Sequence, residues 1–209
     1  MKTVAASDPE CIDQALAVLC QGGLVAYPTD TIYGLGALAT DDAAVRCLFA
    51  VKGRELDKAL PLLLADAVQA EASAEMTPLA RELMAAFWPG ALTIVLRRRT
   101  EFRSLALAGG DTIALRVPDQ PLVRELIRRF GAPLTGTSAN RSGGASPLTA
   151  DEVARQLADE IDLLIDGGPC PGGVESTVVD ATGAVPRLLR KGALAWQSIA
   201  AVASRAASR

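Results

Sequence analysis

The chain has 209 residues, of which 50% are hydrophobic and 22% are charged, and its formal net charge is −3. This length suits one well-buried α/β core, so we expect a single domain over residues 1–209. Apolar stretches fall far short of the roughly 20 residues that cross a bilayer, and no apolar signal region follows the N-terminus. We therefore expect a cytoplasmic protein without a membrane partner.

The residue types present exclude several kinds of chemistry. The sequence has no histidine, and its four cysteines are scattered without a Cys-x-x-Cys pair. This composition argues against a zinc site and rules out Ser-His and Cys-His catalysis, and we expect no protein metal centre. Cys170 lies in a Gly-Pro-Cys-Pro-Gly loop without a nearby base, so we interpret it as a free thiol.

The predicted elements alternate between helices and short strands. A first helix has Asp8 as its N-cap and Pro9 at its first position, and Gly22 ends it. The later elements are a strand over 24–27, a helix from Asp41 or Asp42, a strand over 61–64, a helix over 78–87, strands over 92–96 and 112–117, a helix over 121–130, a strand over 133–136, a helix from a capping box at Thr149, strands over 163–165, 177–180 and 187–189, and a final helix over 195–209. This order predicts an α/β fold with a mixed sheet.

Two segments have the composition of ligand-binding loops. Residues 27–36 read Tyr-Pro-Thr-Asp-Thr-Ile-Tyr-Gly-Leu-Gly, and residues 134–144 read Leu-Thr-Gly-Thr-Ser-Ala-Asn-Arg-Ser-Gly-Gly. Each follows a predicted buried strand and combines hydroxyls, a carboxylate or an amide, and glycines. Because ligands of open α/β sheets lie beyond the carboxyl ends of strands, these loops could meet at one cleft.

Cationic and glycine-rich segments indicate that the ligand is an anion. Lys52, Arg54 and Lys58 provide donors for phosphate, although cations after a helix often only complement its dipole. Residues 167–168 and 172–177 resemble backbone nests that present N–H groups to anions, or they are ordinary turns. Arg116 and Arg190 end predicted strands, where a guanidinium either binds a carboxylate or phosphate or forms a structural ion pair.

Two other patterns do not support a site. Residues 34–39 match G-x-G-x-x-A, but the following helix starts too late, at Asp41, for a dinucleotide fold, and a P-loop motif is absent. Residues 97–99 are three consecutive arginines that could contact RNA, although a run this short is usually a solvated strand edge.

Six motifs, in order and at matching spacing over about 11–192, resemble the YrdC/TsaC family. The motifs are residues 28–36, 52–54, 87–93, 113–118, 137–140 and 173–178. The resemblance implies a single YrdC-like domain, a twisted mixed parallel and antiparallel sheet flanked by helices around a concave cleft. The core would span about 11–192, with a C-terminal helix over 195–209 and without the second domain of longer members.

Members of that family are L-threonylcarbamoyladenylate synthases, a type of nucleotidyltransferase. They make L-threonylcarbamoyladenylate and pyrophosphate from L-threonine, bicarbonate or CO2, and ATP, for the threonylcarbamoyl modification of adenosine 37 in tRNA. The resemblance implies Mg2+ bound with ATP as the cofactor. It also implies the downstream transferase proteins TsaB, TsaD and TsaE as partners, and leaves direct tRNA contact open.

The resemblance also assigns residues to roles. The threonine contacts would be Thr31, Arg116 and Ser176. The ATP contacts would be Lys52, Arg54, Lys58, Thr112, Ser138, Asn140, Ser146 and Arg190. Lys52, Arg54, Ser138 and Asn140 form the family's activity signature and would be catalytic. Relatives often carry other polar residues at position 58, and Leu63 stands where some relatives use a histidine near threonine.

The implied reaction suits a chain without histidine, because a carbamate formed on threonine can itself attack the α-phosphate of ATP. Two alternatives stay open. The cleft could bind double-stranded RNA or tRNA without catalysis, although the net negative charge argues against it. It could also be a carbamoyl-transfer domain related to hydrogenase maturation, although such domains lie in longer chains with acylphosphatase and zinc-binding segments.

Overall fold

The computed structural model describes residues 1–207, in which short strands alternate with α-helices. The strands are β1 (Lys2–Ala5), β2 (Val25–Tyr27), β3 (Gly34–Gly36), β4 (Leu62–Leu63), β5 (Leu92–Arg97), β6 (Thr112–Arg116), β7 (Leu134–Thr135), β8 (Thr137–Ser138), β9 (Leu163–Asp166), β10 (Thr177–Asp180) and β11 (Arg187–Arg190). The helices are α1 (Cys11–Cys20), α2 (Asp42–Lys52), α3 (Ala67–Ser73), α4 (Pro78–Phe87), α5 (Pro121–Phe130), α6 (Ala150–Leu157) and α7 (Trp196–Ala207).

The strands form two sheets, and each sheet mixes parallel and antiparallel pairing. The first has the order β1-β9-β2-β3-β8, and the second has the order β11-β10-β5-β6-β4-β7. The first is parallel from β1 to β2 and antiparallel from β2 to β8. The predicted α/β architecture with mixed strand pairing is confirmed, and the strands divide between two sheets.

One short segment connects the two sheets. Thr135 in β7 pairs with β4 of the second sheet, and Ser138 in β8 pairs with β3 of the first. Gly136 lies at the crossing, where an added Cβ would come within 2.8 Å of the Leu63 side chain. Its N–H donates to the carbonyl of Pro61 at 2.7 Å. The absence of a side chain at position 136 therefore lets the two sheets meet and brings the loop after Ser138 beside the second sheet.

The G-x-G pattern of β3 has a packing role. Tyr27 is fully buried, and its hydroxyl donates to the carbonyl of Thr135 at 3.0 Å. Cβ atoms added to Gly34 and Gly36 would lie only 2.8 and 2.6 Å from the Tyr27 ring. Because the two glycines have no side chains, the Tyr27 ring packs directly against the backbone of β3. The G-x-G pattern therefore serves packing, and it resembles a dinucleotide-binding motif only in sequence.

Helix α2 is determined by its two ends. The Asp41 carboxylate accepts from the N–H groups of Ala43 at 2.9 Å and Ala44 at 3.2 Å, a typical N-cap arrangement. Gly53 ends the helix in the left-handed conformation with φ of 58°. Lys52 is therefore the last residue of the helix, and Arg54 directly follows the C-cap residue Gly53.

The structure differs from the sequence predictions at several ends and short elements. Helix α1 begins at Cys11 without a side-chain cap, because Asp8 accepts from the N–H of Glu10 in the preceding turn. At α6, Glu152 accepts from the N–H of Leu148 at 2.6 Å, while Thr149 caps the helix as predicted. The sequence analysis missed β1, β3, β8 and α3. Positions 208–209 of the predicted final helix lie outside the described residues.

Within residues 1–207, every helix is too short or too polar to span a lipid bilayer.

Candidate active site

Two adjoining cavities lie on the concave side of the molecule. The first measures about 290 Å³ and is lined by residues of both sheets, including Thr31, Arg116 and Ser176. The second measures about 480 Å³ and is lined mainly by the end of α2 and the loop after β8. Arg54, Ser138 and Glu175 line both cavities, and together the two cavities form one continuous cleft.

Arg116 at the end of β6 is the buried cation of the first cavity. Its Nη2 donates to Asp30 Oδ1 at 2.5 Å, its Nη1 to Thr31 Oγ1 at 3.0 Å and its Nε to the Gly90 carbonyl at 2.9 Å. Burial lowers the pKa of Arg116, and the Asp30 carboxylate opposes that shift. Each terminal nitrogen retains a second N–H, so the guanidinium can hold Asp30 and still bind an anion.

Hydroxyl groups line the wall beside Arg116. Thr29 donates its proton to the Ile32 carbonyl at 2.6 Å, so the 2.9 Å bond between Thr29 and Thr31 has Thr31 as its donor. Thr93 lies in β5, and Ser176 directly precedes the neighbouring strand β10. Their hydroxyls are 2.8 Å apart. The first cavity therefore combines a buried cation with oriented hydroxyls, which suits a small ligand that carries an anionic group.

Lys52 is almost completely buried at the floor of the second cavity, with 3% of its surface exposed. Its Nζ donates to the carbonyls of Ser138 at 2.5 Å and Asn140 at 2.7 Å, with Asn140 Oδ1 at 3.4 Å. Burial and the nearby Arg54 lower the pKa of Lys52 to about 8, while Glu175 opposes the shift. The ammonium group thus fixes the backbone of the 138–140 loop and adds positive charge beneath it.

Arg54 lies between the two cavities. Its Nη2 donates to the Ala59 carbonyl at 3.1 Å, whereas its buried Nε has no hydrogen-bond partner within residues 1–207. Burial lowers the pKa of Arg54, and Asp57 and Glu175 oppose the shift. Because a buried N–H without a partner costs about 1–3 kcal/mol, this donor is suited to receive an oxygen of a ligand.

Glu175 is the acidic residue where the cavities meet. Its Oε1 accepts from Ser146 Oγ at 3.0 Å, and its Oε2 forms an ion pair with Arg190. Arg190 also donates to the carbonyl of Ser176 at 3.0 Å and to its hydroxyl at 3.2 Å. The carboxylate therefore occupies a position surrounded by anion-binding groups.

The remaining predicted site residues differ in their placement. Asn140 and Ser146 line the second cavity, and Lys58 lies at its rim in an ion pair of 3.0 Å with Glu55. Leu63 lines the first cavity. Thr112 lines neither cavity, because it lies at the start of β6 opposite Arg97, away from the end that carries Arg116.

Three backbone N–H groups of the two predicted anion-binding nests donate to acceptors within the protein, and the nests stay a prediction. The N–H of Gly173 donates to the Thr31 carbonyl, that of Gly167 to the Tyr33 hydroxyl and that of Gly168 to Asp166. These donors are directed at the protein itself. The segments instead attach the loop before β10 to the loop after β2, which closes one side of the cleft.

The three consecutive arginines also contact protein acceptors. Arg97 pairs with Asp111 at 3.2 Å, Arg98 donates to the Gly110 carbonyl at 3.0 Å, and Arg99 donates to the Glu71 carbonyl at 2.7 Å. These contacts give the run a structural role at the exposed end of β5, which lies between β10 and β6 and is not an edge strand.

Sequence reasoning missed four residues that line or support the cleft, namely Thr29, Asp30, Thr93 and Glu175. The first two belong to the 27–36 loop that its composition already singled out. Glu175 lies inside the glycine-rich segment that was predicted to bind anions. Because a carboxylate repels anions, its presence in that segment was a signal that Glu175 has a different role. For Thr93 the only signal in the sequence was its position at the end of the motif over residues 87–93. Buried Cys170, whose pKa burial raises, lines neither cavity.

Fold and cleft together define an α/β protein whose two adjoining cavities form a basic, hydroxyl-lined cleft suited to anionic ligands. Residues 17–192 match the family Sua5_yciO_yrdC, described as "Telomere recombination". The chain belongs to this family.

Curated relatives and a solved structure agree with this assignment. Threonylcarbamoyl-AMP synthase of Bacillus subtilis (strain 168) is 42% identical over 201 residues, covering 95% of this chain and 58% of the relative. Threonylcarbamoyl-AMP synthase of Vibrio vulnificus (strain YJ016) is 35% identical over 184 residues, covering 87% and 98%. The crystal structure of P. abyssi Sua5 complexed with L-threonine superimposes with a TM-score of 0.91 at 40% identity, covering 96% of this chain and 59% of that one. The chain thus spans a little over half the length of the Bacillus and Pyrococcus proteins.

Proposed function

We propose that this protein is a threonylcarbamoyl-AMP synthase, which makes L-threonylcarbamoyladenylate and pyrophosphate from L-threonine, bicarbonate and ATP. The observation that carries the proposal is the contact between the two cavities at Arg54, Ser138 and Glu175. A reaction that joins an amino acid derivative to a nucleotide needs two such sites side by side. The curated relatives carry this activity in their names.

In this proposal L-threonine occupies the first cavity. The two remaining N–H groups of Arg116 receive the carboxylate, and the Thr31 and Ser176 hydroxyls contact the rest of the amino acid. Leu63 contributes an apolar wall to the same cavity. The P. abyssi relative, whose structure is a complex with L-threonine, supports threonine as a ligand.

ATP occupies the second cavity, with its triphosphate at the junction. Arg54 and Ser138 line both cavities, Ser146 lines the second, and Arg190 lines the first. Lys52 acts mainly by holding Ser138 and Asn140 in place. Lys58 at the rim reaches the nucleotide by leaving Glu55, and Thr112 lies opposite Arg97 outside the two cavities.

The reaction needs no nucleophile from the protein. The threonine amine and bicarbonate form a carbamate and release water. A carbamate oxygen then attacks the α-phosphorus, and the bond from that phosphorus to the bridging oxygen breaks as pyrophosphate leaves with the electron pair. Positioning of two reactants can contribute roughly 7–11 kcal/mol, and the fixed cations stabilise charge that develops on the phosphoryl oxygens.

The cleft fits Mg2+ only as an ion brought in with ATP. Within residues 1–207 no group of three or more Cys, Asp or Glu side chains could hold a metal alone. Glu175 and the Ser146 hydroxyl provide oxygen atoms at the junction, which matches an ion held chiefly by phosphates and water. When bound, the ion would neutralise part of the triphosphate charge.

The proposal is tested by pyrophosphate release from the pure protein with ATP and Mg2+. Release should require both threonine and bicarbonate, and a panel of amino acids should show selectivity for threonine. Arg54→Lys keeps the charge but loses the planar donor set, and should reduce turnover by about 10- to 100-fold without loss of folding. Release that is independent of threonine would contradict the proposal.

The same preparation separates the two alternatives. An RNA-binding module would bind double-stranded RNA or tRNA in a salt-dependent manner without consuming ATP. A carbamoyl-transfer domain would replace threonine and bicarbonate with carbamoyl phosphate. For the proposed synthase we expect neither behaviour.

We further propose that transferase proteins of the TsaB, TsaD and TsaE kind use the adenylate to modify the adenosine in tRNA.

A further inference from the structure

A carboxylate is unexpected in a site that binds a triphosphate, yet Glu175 lies where the two cavities meet. Its two oxygens contact Ser146 and Arg190, and it also interacts electrostatically with Lys52 and Arg54. All four of these residues are assigned to ATP in the proposed function. An acid here opposes any bare polyanion that enters the cleft, so its presence needs a reason other than anion binding.

The backbone holds Glu175 firmly in this position. Its carbonyl accepts from the N–H of Ala193 at 2.9 Å. Gly192 packs so closely that an added Cβ would lie 2.4 Å from the same carbonyl oxygen. On the other side, Gly172 packs against the Asp30 carbonyl, at 2.6 Å from an added Cβ. Because the loop is fixed on both sides, the carboxylate cannot leave the junction by a simple shift of the backbone.

We propose that Glu175 makes nucleotide binding depend on a divalent cation. This inference rests on the proposed ATP site. In the ligand-free protein the carboxylate neutralises Arg190. When a triphosphate enters, a metal ion on the phosphates turns the repulsion from Glu175 into attraction, whereas metal-free ATP meets the repulsion in full. Glu175 thereby selects the metal-bound nucleotide, either as a direct ligand of the ion or through its water shell.

The test measures binding of α,β-methylene ATP, in which the bond that would break is replaced, by calorimetry at constant ionic strength. The wild-type protein should bind this analogue much more tightly with Mg2+ than with EDTA. In Glu175→Gln, which keeps the shape of the side chain, metal-free affinity should rise by about tenfold and the Mg2+ dependence should fall by a similar factor.

Glu160→Gln is the matched control. Glu160 also pairs with an arginine, Arg141, and its substitution changes the net charge equally, but neither cavity includes it. This variant should show the wild-type dependence on Mg2+. If Glu160→Gln reduced the dependence as much as Glu175→Gln does, the effect would be one of net charge and the inference would be wrong.

Mn2+ provides a second readout, which observes the metal ion rather than the nucleotide. By linkage, the analogue must raise Mn2+ affinity by the factor by which Mn2+ raises analogue affinity. Electron paramagnetic resonance should show tighter Mn2+ binding in the wild-type ternary complex than in the Glu175→Gln complex. If Glu175→Gln does not fold, Glu175→Asp serves instead, and should keep the Mg2+ dependence because it keeps the charge.

The outcomes separate the two proposals. If wild-type protein binds the analogue neither with nor without Mg2+, the proposed nucleotide site itself fails. If it binds and Glu175→Gln shows an unchanged Mg2+ dependence, only the inference about Glu175 is overturned.

Discussion

Lys52, a residue of the family's activity signature, contacts the protein backbone in this structure. Its ammonium group is buried and directed at the Ser138 and Asn140 carbonyls rather than at open space. The other member of the pair, Arg54, has a buried Nε for which residues 1–207 supply no hydrogen-bond partner. In the Lys-x-Arg motif, therefore, the lysine fixes the backbone of the 138–140 loop, whereas the arginine lines both cavities.

The lowered pKa of Lys52 gives a pH prediction. Its folded-state pKa of about 8 lies below the ordinary value of 10.5. Between these values the unfolded chain binds more protons than the folded chain, so the free energy of unfolding should rise with pH across this window. Relative to Lys52→Met, the wild-type protein should gain roughly 2 kcal/mol between about pH 7 and about pH 9.5.

Urea denaturation of both proteins at the two pH values measures this difference. The methionine variant is the control, because every other titrating group is common to both proteins. An equal difference at both pH values would mean that Lys52 titrates as an exposed lysine does.

At the level of elements, the cleft depends on how closely strands and loops approach one another. Gly34 and Gly36 accept the Tyr27 ring, and Gly136 lets the chain pass from the second sheet to the first. Each close approach brings a loop with site residues to its place. The glycines near the cleft thus serve packing more than anion binding.

Gly36→Ala tests this packing role. The new methyl group would lie 2.6 Å from a Tyr27 ring carbon, so the variant should lose about 1–3 kcal/mol of unfolding free energy. Gly183→Ala is the control, because no atom of the described chain, residues 1–207, lies within 4 Å of its added Cβ and its φ is not positive. Chemical denaturation should show that only Gly36→Ala is strongly destabilised, and equal stability of the two variants would contradict the packing role.

For the whole molecule, sequence reasoning predicted the long elements better than the short ones. Helices α2, α4 and α5 have clear caps and one apolar face, and the sequence analysis identified all three. Strands such as β3 and β8 have two or three residues, too few for a periodic pattern, and only pairing with distant strands defines them. The division into two sheets likewise depends on the crossing at Gly136.

The site shows the same limit. Composition singled out the loops that contain Thr31 and Ser138, because hydroxyls and glycines cluster there. The pairing of Arg116 with Asp30, the burial of Lys52 and the position of Glu175 arise only when distant segments meet. Thr112, which motif position assigns to ATP, lines neither cavity, and that assignment stays a prediction.

The most direct measurement follows the carbon of bicarbonate. The pure protein is incubated with 13C-bicarbonate, L-threonine, ATP and Mg2+, and the adenylate products are analysed immediately by mass spectrometry. The proposed reaction predicts threonylcarbamoyl-AMP that carries the label and forms in equal amount with pyrophosphate. Consumption of ATP without labelled adenylate, or labelled adenylate that forms without threonine, would contradict it.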